Sequence, residues 1–179
     1  LKDTKISNYL HNAKLRISWG ITGNDRIGEF DYLDRYTGGM NYGYNGSVGV
    51  VPLTSPGNPL LKWEETQETN FGLDLSFFKG RLNVETDFYI QRTSDLLDNE
   101  PLPTELGYSS MRINAGTIRN IGWEIGITAY PIDKRDWTWT TSLNWSTTRN
   151  KVLKISGEGG RIYKNNWWLE EGVAAGQFY

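Results

Sequence analysis

The sequence has no cysteine and a single histidine, His11. Without cysteine the chain can form neither a disulfide nor a zinc–thiolate site. With one histidine it cannot assemble a His-based catalytic triad or a multi-histidine metal site by itself, and we interpret His11 as a surface residue. The net charge of −2 provides no basic footprint, so a nucleic-acid partner is not expected. We also predict no cofactor, because the glycine-rich run at 157–160 lacks the lysine and following helix of a phosphate loop.

Long hydrophobic runs are missing as well. No segment approaches the roughly 18 apolar residues of a transmembrane helix. A transmembrane β-strand needs only about 9–11 residues of alternating character, which a hydropathy scan does not detect. No signal peptide stands at the start of the sequence. For an outer-membrane protein this would indicate a mature chain or an internal fragment.

Glycine and aromatic residues are plentiful: 20 glycines, and 13% aromatics that include eight tryptophans. The clearest pattern is a period of two in the stretch 58–97, which predicts two antiparallel strands joined at Lys79-Gly80. One face of this hairpin is apolar and consists of Phe71, Leu73, Leu75, Phe77, Leu82, Val84, Phe88 and Ile90. The opposite face is polar or small and includes Asn70, Gly72, Asp74, Ser76, Asn83, Glu85, Asp87 and Gln91.

The two-residue turn sets a register. Glycine at the second turn position suits a positive φ, and with this loop Leu75 faces Val84 and Phe71 faces Phe88. On the polar face Asp74 then opposes Glu85. Two opposed carboxylates are unfavourable unless the face is wet or counter-charged, so we expect a hydrated face.

Three further strands alternate in the same way, over residues 13–22, 118–130 and 137–147. Short turns at 79–80 and 133–136 are interspersed with long connections at 23–59 and 99–117 and with a long tail from residue 150. The first long connection is expected to hold a short hairpin around residues 40–51. Long loops that alternate with short turns are typical of outer-membrane barrels.

Two groups of carboxylates were considered as chemical sites. Asp95, Asp98 and Glu100 offer the oxygen ligands that calcium uses, but a solvated strand end is the simpler interpretation. Asp74, Glu85 and Asp87 could supply the pair of a glycosidase. Nothing else in the sequence marks an active site, so we interpret them as lumen residues and predict that the chain is not an enzyme.

Several motifs resemble the SusC/RagA class of TonB-dependent outer-membrane transporters. They are NPLLKWEETQETNFGLDLSFFKGRL at 58–82 and LPTELGYSSMRINAGTIRNIGWEIGI at 102–127, with weaker similarity at 13–24, 139–153 and 171–179. The similarity is colinear and touches most of the chain. It implies an all-β fold in which residues 1–179 form part of an antiparallel, up-and-down transmembrane β-barrel with long extracellular loops. The family's plug domain, TonB box and final barrel strands are not found in the sequence.

The resemblance also implies a function. It predicts TonB-dependent import of large nutrients, oligosaccharides or peptides, across the bacterial outer membrane. The implied partners are a SusD-like surface lipoprotein, the TonB complex acting through regions absent here, the glycan or peptide substrate, and membrane lipid. The alternative is a soluble glycan-binding β-sandwich, which would bury its apolar face against a second sheet.

Aromatic residues in the long connections are the candidate contacts for substrate or partner. Tyr163, Trp167 and Trp168 cluster in the last one, and Tyr42 and Tyr44 lie in the first. Aromatic faces stack on sugar rings and also anchor protein interfaces. Packing of the loop on itself, or anchoring at the membrane interface, remains the alternative for each.

Overall fold

The computed structural model describes residues 9–40, 49–53, 55–156, 160–164 and 167–175. Nine strands are present in these ranges. They are β1 (Leu10–Asn24), β2 (Tyr36–Met40), β3 (Gly49–Pro52), β4 (Glu64–Phe77), β5 (Leu82–Pro101), β6 (Ser110–Asp133), β7 (Thr138–Ile155), β8 (Arg161–Lys164) and β9 (Trp167–Glu170). The same ranges also contain two single 3₁₀ turns, Phe78–Gly80 and Thr104–Leu106.

Five long strands form one sheet in the order β1-β4-β5-β6-β7, and β1 and β7 are its first and last members. Two small antiparallel hairpins, β2–β3 and β8–β9, lie outside this sheet. The β2–β3 hairpin confirms the pairing expected around residues 40–51. The contacts within the chain divide its residues into two compact units. Unit 1 is Leu1–Ile21, Gln67–Arg92 and Arg119–Asn150; unit 2 is Thr22–Thr66, Thr93–Ile118 and Lys151–Tyr179.

The turn between β4 and β5 is the one predicted. Lys79 and Gly80 have φ of 59° and 90°, and the Arg81 amide donates to the Phe78 carbonyl at 3.3 Å. Both central residues are therefore left-handed, as the twist of a two-residue hairpin requires. Side-chain pairs along the hairpin agree with the predicted register: Ser76 bonds Asn83 at 2.9 Å, and Thr66 bonds Thr93 at 3.0 Å.

The strands extend further than the alternation predicted. The connection expected at 99–117 is wrong in extent, because β5 runs to Pro101 and β6 begins at Ser110. The connection is closed by a bond from the Leu102 amide to the Ser109 carbonyl at 3.1 Å. Likewise β7 continues to Ile155, past the point where the pattern fades. Backbone pairing thus persists beyond the segment in which one face is apolar.

Unit 2 holds the buried apolar cluster of the described residues. Ile113 and Ala115 of β6, Val152 and Ile155 of β7, and Ile162 of β8 are all at least nine-tenths buried. Leu169 of β9 packs against them. The edge of β7 is paired there by the turn after β9, because Val152 exchanges backbone hydrogen bonds with Gly172 and Val173.

Candidate functional site

A charge cluster centred on Arg16 occupies one face of the sheet in unit 1. Its guanidinium donates to the Asp74 carboxylate on β4 at 2.7–3.1 Å and to both oxygens of Asp87 on β5 at 2.9 and 3.0 Å. Gly72 lies against the cluster, where a Cβ would approach Arg16 Cζ to 2.6 Å. Glycine at position 72 therefore makes room for the fork of the arginine. The polar face is counter-charged as well as partly solvated, which the strand pattern alone did not reveal.

Polar contacts continue across the same face. Gln91 of β5 connects Glu68 of β4, at 3.5 Å, with Asn120 of β6, at 3.1 Å. The Tyr89 hydroxyl lies 3.0 Å from the Thr148 hydroxyl of β7. The Tyr89 ring passes directly over Gly122 of β6, where a Cβ would overlap it. The face assigned to the lumen is thus a hydrogen-bonded surface that spans all five strands.

The opposite face of unit 1 is apolar and exposed. Its large exposed side chains are Leu15, Ile17, Trp19, Ile21, Phe71, Phe88, Ile90, Trp123, Trp139, Leu143 and Trp145. Trp123 and Trp145 pack edge to face, with 6.0 Å between their ring centroids. The indole N–H of Trp123 donates to Thr86 Oγ1 at 2.6 Å. This bond accounts for a threonine among apolar neighbours, because it satisfies the one polar group of the tryptophan. A face this apolar and this exposed is suited to lipid.

The predicted contact residues are only partly placed. Tyr163 lies in β8 and Trp167 and Trp168 lie in β9, with Tyr163 paired to Trp168 and Lys164 to Trp167. The backbone therefore brings the three aromatic residues to the closed end of one hairpin. Tyr42 and Tyr44 lie outside the described residues.

A cleft of about 380 Å³ adjoins the β8–β9 hairpin in unit 2. It is apolar and is lined by residues that include Leu97 of β5, Ile118 of β6, Ile155 of β7 and Leu169 of β9. Gly116 of β6 meets the Lys154 carbonyl so closely that a Cβ would overlap it. This hairpin is consequently backed by a tightly packed part of the sheet.

The geometry does not support a metal site or a catalytic site at the remaining candidate residues. His11 is exposed on β1. Within the described ranges, no three histidine, cysteine or acidic side chains converge as a metal site would require, and Asp95, Asp98 and Glu100 form no such group. Of the three carboxylates that could supply a glycosidase pair, Asp74, Glu85 and Asp87, the two aspartates both bind the guanidinium of Arg16.

A sheet with one hydrogen-bonded polar face and one exposed apolar, tryptophan-bearing face defines the wall of a transmembrane β-barrel protein. The sheet is open in the described residues, with β1 and β7 at its two sides. In the described part of the chain, no helix combines the length and apolarity needed to cross a bilayer.

Comparison with known proteins identifies the family. Residues 8–168 match the model of the TonB dependent receptor-like β-barrel, and the chain belongs to this family. It is 44% identical over 98% of its length to TonB-dependent receptor P39 of Formosa agariphila. It is 36% identical over 88% of its length to TonB-dependent receptor SusC of Bacteroides thetaiotaomicron. The chain spans 16% of the length of each of these relatives.

Solved structures agree with this assignment. The RagAB peptide importer in its closed-closed state superposes with a TM-score of 0.83 at 29% identity, covering 96% of this chain and 19% of that chain. A second RagAB structure gives a TM-score of 0.81 at 30% identity. The similarity to the SusC/RagA class is confirmed, and the chain is a protein of the bacterial outer membrane. Its family consists of transporters and receptors.

Proposed function

We propose that the chain, over residues 1–179, forms barrel wall, lumen lining and extracellular loops of an outer-membrane importer of large nutrients. The substrates would be oligosaccharides or peptides, and the working complex would include a SusD-like surface lipoprotein. Energy would come from the TonB complex acting through a plug domain. The observation that carries the proposal is the colinear similarity to SusC and to the RagAB peptide importer, each over most of this chain.

The two faces of unit 1 support an importer wall over the alternative of a soluble β-sandwich. A sandwich would bury its apolar face, yet Leu15 and Ile17 are 68% and 65% exposed and Trp19 is 63% exposed. The polar face carries acceptors and donors that suit a hydrated lumen. Because Asp74 and Asp87 are both paired with the single guanidinium of Arg16, we propose a transport role and no catalytic one for this face.

The connections support an assignment of sides. The turns at Lys79-Gly80 and between β6 and β7 are short, whereas the connections in unit 2 contain the two hairpins. In outer-membrane barrels the short turns face the periplasm and the longer loops face outwards. We therefore propose that the end of the β8–β9 hairpin, with Tyr163, Trp167 and Trp168, lies outside and contacts substrate or lipoprotein. Tyr42 and Tyr44 are proposed to share this role.

Deletion of the gene that encodes the full-length protein tests the proposal. Uptake of labelled oligosaccharides and of labelled peptides should be compared between parent, deletion strain and complemented strain. We expect the deletion to abolish uptake of one of the two substrate classes and the loss of TonB to have the same effect. Purification of the tagged transporter should co-purify a lipoprotein. Unchanged uptake of both classes, together with a transporter purified without a lipoprotein, would contradict the proposal.

A further inference from the structure

A second cleft in unit 2, of about 410 Å³, is lined by three arginines, Arg26, Arg35 and Arg112. Among the described residues of its lining, Asp31 is the only carboxylate, so the charged side chains there sum to +2 in a chain whose net charge is −2. Ser55 and Asn99 add neutral hydrogen-bonding groups. A positive concavity in an acidic chain concentrates anions.

The backbone around the cleft is fixed. The Asn58 amide donates to the Asp31 carbonyl at 3.0 Å, and the Leu53 amide donates to the Arg35 carbonyl at 2.9 Å. The Asp31 carboxylate accepts from the Gly28 amide at 2.9 Å and from Arg35 at 3.3 Å. The negative charge of Asp31 is thereby already paired within the protein. Among the described side chains that line the cleft, Arg26 and Arg112 are then the arginines without a carboxylate partner.

The guanidinium of Arg112 is held by weak partners. It donates to the Asn99 side-chain oxygen and to the Arg26 carbonyl, both neutral and both at 3.3 Å. Its Nε is buried and has no hydrogen-bond partner among the described residues. The Arg26 side chain is exposed and forms no ion pair with any residue in the described ranges. Arginine forks bind planar carboxylates and sulfates in two-point fashion and with greater strength than neutral acceptors.

We propose that this cleft binds an anionic group of the imported substrate, a carboxylate or a sulfate, through Arg112 and Arg26. The inference rests on the proposed function and adds to it a preference for charged cargo. A volume of about 410 Å³ lies in the range of small-ligand sites and accommodates one sugar ring or one terminal residue. The anion could belong to a uronic acid, to a sulfated sugar or to the C-terminus of a peptide, and binding experiments can separate these sources.

The test uses the purified full-length transporter in detergent and isothermal titration calorimetry. Three anionic probes are glucuronate, glucose 6-sulfate and N-acetylglycylglycine; the neutral counterparts are glucose and the amide of the same dipeptide. We expect at least one anion to bind about tenfold more tightly than its neutral counterpart, as hydrogen bonds between charged groups imply. The probe that binds best identifies the source of the anion. A parent protein that binds no anion better than its counterpart overturns the inference.

Variants locate the binding. Arg26→Gln and Arg112→Gln should each weaken the anion about tenfold, and Arg112→Lys, which retains the charge but lacks the fork, should fall between. Arg135→Gln removes an exposed arginine from the short β6–β7 turn and should bind like the parent. If Arg112→Gln fails to assemble, Arg26→Gln decides. Parent-like binding by Arg26→Gln, or loss of lipoprotein association without any effect on anions, overturns the inference.

Uptake is measured separately, in cells that carry the parent protein or one of these variants. A parent that imports nutrients but binds no anion refutes the subsite and leaves the proposed function intact. A parent that binds anions at Arg26 and Arg112 but imports nothing refutes the proposed function.

Discussion

Arg16 and Asp74 are 58 positions apart in the chain and share three hydrogen bonds between neighbouring strands. The same guanidinium reaches Asp87 on the next strand, so one cation fastens three strands of the sheet. The contact forms because β4 returns beside β1 after the β2–β3 hairpin. The Arg16 side chain thereby bridges β1 and β5 and lies over Gly72, which leaves it space.

The first prediction concerns this cluster. Arg16→Gln should destabilise the folded barrel, because it leaves Asp74 and Asp87 facing each other without a cation. Adding Asp74→Asn and Asp87→Asn to that variant should recover much of the loss. The measurement is guanidinium-induced unfolding of the full-length protein in lipid vesicles. A triple variant no more stable than Arg16→Gln alone would show that charge balance is not what the arginine provides.

The second prediction concerns Tyr89 and Gly122. Gly122→Ala should lower stability by about 1–3 kcal/mol, because the methyl group displaces the tyrosine ring and its bond to Thr148. Gly20→Ala is the matched control, since a Cβ at Gly20 meets nothing within 4 Å. It should change stability by less than about 0.5 kcal/mol. The double variant with Tyr89→Ala should show strong coupling; additive effects would mean that the ring and the glycine do not share their space.

The third prediction tests which face meets lipid. Phe88→Arg should cost roughly 2–4 kcal/mol if the site lies near the bilayer midplane. Asp87 is a poor control because it binds Arg16, so the comparison is Glu85→Arg, an exposed residue on the polar face of the same strand. That variant should assemble almost like the parent. The measurement is the folding yield in lipid vesicles. Equal losses for the two variants would contradict the assignment of Phe88 to the lipid face and Glu85 to the lumen face.

The sequence predicted the faces correctly because lipid and water impose a period of two that can be read residue by residue. Phe71 and Phe88 are exposed on the apolar face as expected. The lengths of β5 and β6 were underestimated near Pro101 and Ser110. In these parts the two faces of a strand are alike, both polar or both packed, so no alternation marks the pairing. Likewise, the alternation over residues 13–22 predicted a strand but could not choose Asp74 as the partner of Arg16. That choice depends on which strands become neighbours.

The fourth prediction concerns the two sides of the sheet. Strands β1 and β7 are its first and last members, and unpaired backbone groups are not tolerated in hydrocarbon. The 179-residue chain by itself should therefore fail to insert into vesicles as a stable monomer. Protease protection and heat-modifiable gel migration report insertion directly. A protected, heat-modifiable monomer would show that these strands close on themselves.

The fifth prediction concerns the β8–β9 hairpin. Replacing Trp167 and Trp168 together by alanine in the full-length transporter should reduce uptake or lipoprotein association several-fold, as expected for contact residues. Barrel assembly should be unchanged. The control pair is Trp137 and Trp139, which are 78% and 57% exposed at the short-turn end.

The control pair should affect stability in the membrane more than uptake. If the Trp167–Trp168 variant transports every substrate of the parent at the parental rate, these side chains are not contacts.

The β2–β3 hairpin and its flanking segments leave the sheet after Asn24 and return at Glu64, yet β1 and β4 remain neighbours. Where the segment leaves the sheet, the side-chain amide of Asn24 donates a hydrogen bond to the Glu64 carboxylate at 2.7 Å. This bond holds the two ends of the segment together. Residues 25–63 thus form a loop whose two ends are joined, and the entropic cost of closing such a loop grows only slowly with its length. A change in the length of this segment is therefore compatible with an unchanged pairing of β1 with β4.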